Sequence, residues 1–377
     1  MKYRKLSELC EYTSDKILVS ILSRQNYIST ENMLQNRGGI CDAETLPSTF
    51  KVSSFVEDDI LISNIRPYFK KIWRAKFCGG CSNDILVMRA KQNCNPIFLY
   101  YILSGDSFFS YATHTSKGTK MPRGDKKAIM NYQVPDLSYQ AQKIIGEFLN
   151  VFDRKIELNN KLNDNLQQQA FALFEQLLLT ADDGECSVAD IAHLNPKRAL
   201  AKNQEAKCIE MSQLSTSGAF PSGWEKRPFN GGMRFSNGDT LLARITPCLE
   251  NGKAAFIDFL DTSEVAFGST EYIVLAPKGE IPPEFLYCLA RYPVFSDYAV
   301  KNMNGSSGRQ RVSAETIGQF KLPRPSTNEL KRFGNVVSSL FLKMRFNSLE
   351  NMRLSSLRDS LLPKLMSGEL DVSELDI

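Results

Sequence analysis

Two short stretches gather cations among glycine, serine and threonine. Residues 117–127 hold Lys117, Lys120, Arg123, Lys126 and Lys127 against one acid, Asp125. Residues 301–311 hold Lys301, Arg309 and Arg311 and no acid. Small residues let backbone N–H groups come close to phosphates, and each cation that reaches one releases a counterion. Arginine is also the commonest reader of guanine in the major groove, through two parallel hydrogen bonds. The chemistry open to such loops is nucleic-acid binding; an ordinary solvated basic loop is the bland alternative. Arg66 and Arg244 stand beside strand ends ahead of Pro67 and Pro247. They either reach nucleic acid or stack on a core edge.

Other chemistries lack their residues. Cys78, Cys81, Cys94 and His114 suggest zinc only weakly, because zinc sites use tighter spacing and no matching set occurs further along the chain. No metal site is therefore expected. His114 and His193 are the two histidines, and a structural role is expected for both. There is no Gly-rich dinucleotide fingerprint and no phosphate loop of the Gly-x-x-x-x-Gly-Lys-Ser/Thr type. Asn95-Pro96 and Asn195-Pro196 do not continue into the Asn-Pro-Pro-aromatic run that adenine methyltransferases use on a flipped base. The chain is expected to supply no catalysis and to bind no cofactor.

Composition sets further bounds. Lys plus Arg is 46 and Asp plus Glu is 42, a net charge of +4, so any basic surface must be local. Nine scattered cysteines and no signal-peptide pattern in residues 1–12 lead us to expect free thiols in a reducing cytoplasm. No run of about 18 apolar residues is available to span a membrane.

The elements that must position the basic loops occur twice. Asp59, Leu61, Ile65 and Pro67 recur as Asp239, Leu241, Ile245 and Pro247, an offset of 180. Ser82, Val87, Pro96, Phe98, Tyr100 and Gly118 recur as Ser269, Val274, Pro283, Phe285, Tyr287 and Gly305, an offset of 187. Arg123, Ile129, Pro135, Asn159 and Asn163 recur as Arg311, Ile317, Pro323, Asn347 and Asn351, an offset of 188. Two similar units follow. Each has a mixed region of short strands with one short helix, then one long helix. Asp59–Ile65 and Asp84–Met88 read as buried strands, and residues 96–103 as a helix with Pro in its first turn. Residues 239–245, 272–275 and 283–289 repeat that order. Arg123 and Arg311 share one place in the repeat and cannot tell two different ligands apart, so they are assigned to phosphate or to loop structure. Base readers belong in segments that differ between copies, Ser29–Phe50 and Thr216–Phe235.

The long helices carry 4,3 periodicity. One stripe runs Ile145, Leu149, Phe152, Ile156, Asn159, Asn163, Leu166, Ala170, Leu173, Leu177; the other runs Phe333, Val337, Leu340, Met344, Asn347, Asn351, Leu354, Arg358, Leu361, Leu365. This spacing is a coiled-coil seam. An amide left alone in such a seam costs about 1–3 kcal/mol, so Asn159, Asn163, Asn347 and Asn351 should find one another or water, near the crossing point if the helices are antiparallel. Ser326 and Glu329 fit a capping box. Each helix should cover about 35–40 residues, roughly 55 Å, and Pro363 should kink or end the second. The acidic stretch 180–185 reads as a boundary between units.

Two tandem mixed regions with long helices, closed by Leu361-Leu-Pro-Lys-Leu-Met-Ser-Gly-Glu-Leu370, resemble the specificity subunits of type I restriction–modification enzymes. Gly118-Thr-Lys-Met-Pro-Arg-Gly124 resembles a loop of their first target-recognition domain. Asn195-Pro-Lys-Arg198, Ile209-Glu-Met-Ser212 and Gly305-Ser-Ser-Gly-Arg-Gln-Arg311 resemble their second. The resemblance implies an α+β fold: two tandem pseudo-symmetric target-recognition domains of mixed α/β structure, separated by two long antiparallel coiled-coil helices. Its boundaries would be 1–137 and 181–325 for the domains, 138–180 and 326–366 for the helices, and 367–377 for an acidic tail. It implies a non-catalytic reader of double-stranded DNA, each domain holding half of a bipartite asymmetric site. The helices would act as spacer and as dock for two methyltransferase subunits. S-adenosylmethionine, ATP and Mg would be bound by methyltransferase and restriction subunits. A repeat-domain scaffold for protein partners, without DNA specificity, is the alternative.

Overall fold

The computed structural model describes residues 2–306 and 308–370. They form two compact units: residues up to Arg154 together with those from Leu354 onward, and Lys155–Arg353. The acidic tail lies outside the described residues from position 371 on.

In chain order the first unit runs β1 (Tyr3–Lys5), β2 (Cys10–Tyr12), β3 (Lys16–Leu18), β4 (Tyr27–Ile28), β5 (Lys51–Phe55), β6 (Ile60–Ser63), β7 (Ile72–Arg74), β8 (Gly79–Cys81) and β9 (Ile85–Ala90). Then come α1 (Pro96–Ser104), α2 (Asp106–His114), α3 (Lys126–Met130), β10 (Gln133–Pro135) and the start of α4 (Tyr139–Thr180). One sheet has the order β2-β9-β6-β7, a second β3-β5-β8-β4, and β1 pairs with β10. β6 is buried along its whole length because strands flank it on both sides, which accounts for its continuous apolar run. Asn95 caps α1 by accepting the N–H groups of Ile97 and Phe98, ahead of Pro96.

The second unit runs β11 (Glu185–Ser187), α5 (Val188–Ile191), β12 (Ala192–Leu194), β13 (Glu205–Ile209), β14 (Glu225–Pro228), β15 (Met233–Phe235), β16 (Thr240–Ala243), β17 (Ala254–Phe256), β18 (Ala266–Gly268) and β19 (Tyr272–Pro277). It continues with α6 (Pro283–Arg291), α7 (Pro293–Lys301), α8 (Ala314–Gly318), β20 (Lys321–Pro323) and most of α9 (Thr327–Ser367). Its first sheet, β12-β19-β16-β17, matches β2-β9-β6-β7 strand for strand, and β11–β20 matches β1–β10. The remaining sheets share three strands and differ in the fourth. β4-β8-β5 corresponds to β13-β18-β15, each with one parallel and one antiparallel pairing. In the first unit β3 adds to the free edge of β5; in the second β14 adds to β13, at the opposite edge of the shared trio.

Four expectations are corrected. Each mixed region has two consecutive nine-residue helices and a third short one, and the second adds the four-residue α5, where one was expected. Helices this short do not stand alone in water and form because a face is buried; α2 buries Phe108, Phe109 and Ala112. The long helices reach 42 and 41 residues. α9 also continues through Pro363 to Ser367. The lost backbone bond is offset by apolar side chains on either side of the proline: Leu365 is buried, and Leu361, Leu362 and Met366 pack on the same core as α1 and α2. The stretch 180–185 lies inside the second unit, leading from α4 into β11.

The seams are built differently in the two units. In the second, Asn159 Nδ2 donates to Asn351 Oδ1 at 2.8 Å, and Asn347 Nδ2 donates to Asn163 Oδ1 at 2.8 Å. These pairs run in opposite chain directions, so α4 and α9 are antiparallel here. In the first unit Arg358, the one cation in the apolar stripe, is paired with Asp153, whose other oxygen accepts the Tyr101 hydroxyl at 2.6 Å. The capping box at the start of α9 forms: the Ser326 N–H donates to Glu329 at 2.8 Å, and the Glu329 N–H to Ser326 Oγ at 3.3 Å.

Candidate nucleic-acid interface

Each basic stretch is a closed loop on a shared frame. In the first unit Lys117 and Arg123 exchange two backbone hydrogen bonds of 2.9 Å, closing a loop over residues 118–122. In the second, Asn304 and Arg311 exchange two of 2.9 Å, closing residues 305–310. The second loop is one residue longer, which is where the repeat offset grows from 187 to 188.

Matching bonds stitch each loop to the end of the central strand. The Arg66 N–H donates to Pro122 O and the Thr246 N–H to Gln310 O. The Gly124 N–H donates to Asn64 O and the Val312 N–H to Arg244 O. The structural partner of Arg66 is therefore Thr246, and that of Arg244 is Asn64. The two arginines that look alike in sequence lie two residues apart in the frame.

The side chains divide into paired and free. Arg123 donates to Asp84 Oδ1 at 3.0 Å. Arg311 grips Glu271 through Nε at 2.9 Å and Nη2 at 2.6 Å. Lys117 reaches Asp125 at 2.5 Å. The charges show in the acids: Arg311 holds the Glu271 carboxyl below its usual value, and Lys117 does the same for Asp125. Asp125 also caps α3 by accepting the N–H groups of Lys127 and Ala128. Lys120, Lys301 and Arg309 are exposed, and no ion pair engages them among the described residues. Arg66 has left-handed backbone and lies over the Phe69 ring at 5.8 Å. The Nε atoms of Arg66 and Arg244 are buried without a hydrogen-bond partner.

Sequence reasoning missed Asp84 and Glu271. They are 187 apart, so the repeat pointed at them, but as different residue types they escape identity matching. It also missed that the buried carboxylates of Asp59 and Asp239 are met by arginines from different places, Arg89 and Arg198. The segment Ser29–Phe50 joins β4 to β5 largely as loop, whereas Thr216–Phe235 includes β14 and β15, so the two copies diverge in these stretches. The thiols once considered for zinc do not converge. Cys81 is buried in one core and Cys94 in another, burial pushes both up to about 12, and Cys78 is exposed. Among the described residues no group of three His, Cys, Asp or Glu side chains is placed to hold a metal, and no helix is long and apolar enough to cross a membrane.

Comparison with known proteins bears on this arrangement. Residues 1–168 match the family described as "Type I restriction modification DNA specificity domain". The HindI specificity subunit of Haemophilus influenzae is 25% identical, over 91% of this chain and 94% of that protein. The EcoAI specificity subunit of Escherichia coli is 32% identical over 44% of this chain and 29% of its own length. The crystal structure of a type I system S subunit from M. genitalium shares the fold, with a TM-score of 0.56, 16% identity and coverage of 97% and 96%. The repeat carries the same frame into the half of the chain beyond residue 168. Residues 1–168 thus match the type I restriction modification DNA specificity domain, and the chain over nine-tenths of its length is similar to a type I specificity subunit.

Proposed function

We propose that this chain addresses a type I restriction–modification complex to DNA and performs no chemistry itself. Each mixed domain holds one half of a bipartite, asymmetric double-stranded site. Two methyltransferase subunits dock on the paired helices, bind S-adenosylmethionine and methylate adenine. Restriction subunits join that core and use ATP and Mg to translocate and cut.

The observation that carries this reading is the doubled loop: one frame, used twice, holding tips of different sequence. Equal frames place two grips of one kind, and unequal tips and edge strands let each grip prefer a different DNA word. Lys120 in the first unit, and Lys301 and Arg309 in the second, are exposed cations left free to meet phosphate or base, with the half-buried Arg66 and Arg244 at the strand ends beside them. The exposed β14 strand and the 29–50 loop supply the copy-specific surface.

The test is the methylation pattern of the host genome with and without this chain. A two-part adenine motif should vanish on deletion, and exchanging residues 1–137 for those of a relative should change one half of it only. An unchanged pattern on deletion would end this reading. Methylation by the isolated chain supplied with S-adenosylmethionine would end the non-catalytic part.

A further inference from the structure

We infer that Asp84 and Glu271 are positioning residues for DNA recognition, and that the arginines they hold, Arg123 and Arg311, frame the basic loops without touching DNA. This rests on the DNA-addressing reading above and goes beyond it by dividing each loop into a base that positions and a tip that contacts.

Three observations converge. Both arginines occupy the closing pair of their loop, bonded through backbone N–H and C=O to Lys117 or Asn304 and bridged to Ile65 or Ile245 at the end of the central strand. Both guanidinium groups are held by an acid on the turn ahead of β9 or β19, and those acids are equivalent in the repeat. The same turn supplies a second link: the backbone carbonyls of Asp84 and Glu271 accept the N–H groups of Asn64 and Arg244 at 2.8 and 3.0 Å. Side chain and backbone of one residue thus tie the loop, the strand end and the turn together.

The charges decide between framing and contact. A phosphate approaching Arg311 would also approach the Glu271 carboxylate, which already takes two of the guanidinium's donors. In the first unit Asp84 stands beside Arg123 in the same way. An acid at this place costs DNA affinity through repulsion, and its occurrence in both copies fits a positional task. The tips differ in length and chemistry: Thr119, Lys120 and Met121 in the first, against residues 306–309 ending in Arg309 in the second. Met121 and Arg309 fall at the same distance before the framing arginine, and both are exposed.

The experiment uses the full chain assembled with its methyltransferase subunits and a duplex carrying the site read from the genome. Affinity is measured across a salt series. Glu271→Gln removes a negative charge near the DNA, so a contacting Arg311 would bind as tightly as before or tighter. Framing instead predicts about tenfold weaker binding, the loss expected for one charge-assisted hydrogen bond. Arg311→Gln should weaken binding while leaving the slope of log affinity against log salt unchanged, whereas Arg309→Gln should reduce that slope by about 0.9, one phosphate contact. The exchange Glu271→Arg with Arg311→Glu should recover most of the affinity lost in either single variant. Asp84→Asn and Arg123→Gln test the first unit in the same way. Tighter binding by Glu271→Gln, or a shallower slope for Arg311→Gln, overturns the inference while DNA addressing stands. A flat salt response of the wild-type complex removes both.

Discussion

Asn159 and Asn351 meet across the antiparallel helices at 2.8 Å, and exchanging the two copies of the repeat turns this pair into Asn347 and Asn163, also at 2.8 Å. The middle of the seam is thus polar, and in the first unit the Arg358–Asp153 pair adds a second polar point to an otherwise apolar stripe. Glu350 and Asn160 complete the set, accepting from Asn159 and Asn351 respectively. A polar crossing of this kind favours one register, because any slide of the helices would bury amides without partners.

The crossing can be measured. Asn347→Ala leaves the Asn163 carbonyl without its donor, at 1% exposure of the residue removed. It should lower stability by about 1–3 kcal/mol. Asn163→Leu with Asn347→Leu should recover much of that loss, while amide exchange in the middle of both helices becomes faster as register loosens. Slower exchange in the double variant would argue against register control.

Where the first unit packs a half-buried ion pair beside α1, the equivalent place in the second unit is filled by groups without charge. The repeat equivalents of Tyr101, Asp153 and Arg358 are Cys288, Phe341 and Ala170. Arg358→Ala strands Asp153 in a largely buried site and should cost about 3 kcal/mol. Replacing all three residues with their equivalents, Tyr101→Cys, Asp153→Phe and Arg358→Ala, should cost less than Arg358→Ala alone, as read from thermal unfolding. A larger loss would mean that the two units do not share interchangeable packing.

Acid should release the second loop from its frame. Arg311 holds the Glu271 carboxyl below its unfolded value, so the pair's contribution is fully present above the unfolded value and is lost as pH falls through the folded one. Exchange of the Asn304 and Arg311 amides, normalised for intrinsic rate, should stay flat from neutral pH to about pH 5 and rise below about pH 4. In Arg311→Gln that onset should disappear. An onset that survives the substitution would assign it to another acid.

The helices should act together as a spacer. Seven residues inserted at matching places in α4 and α9 add roughly 10 Å, about three base pairs of duplex. The methylated half-sites should move apart by about that amount. The same insertion in α4 alone breaks the asparagine pairs and should abolish site-specific methylation. Unchanged spacing with full activity in the double insertion would show that the helices do not set the distance.

How far the sequence reached follows from the range of each interaction. The strands at Ile60–Ser63 and Ile85–Ala90, the Asn-capped, Pro-started α1, the Ser326–Glu329 box and the 4,3 stripes are written in neighbouring residues, and the 180 to 188 offsets doubled the strand and stripe signals. The seam asparagines were legible because a polar residue in an apolar stripe demands a partner. Arg358 stood in the same stripe, but nothing local named Asp153, which lies 205 residues away. Likewise Asp84 and Glu271 are 39 and 40 residues from their arginines.

The sequence by itself therefore determined that there are two related units with paired long helices and a basic loop in each. Tertiary structure alone decided which cations are spent on acids and which stay free, which edge of each second sheet gains its fourth strand, and that α9 runs on through Pro363. Periodicity records what a residue's neighbours demand. Charge pairing, edge pairing and the burial that carries a helix past a proline depend on groups that meet only when the chain has closed.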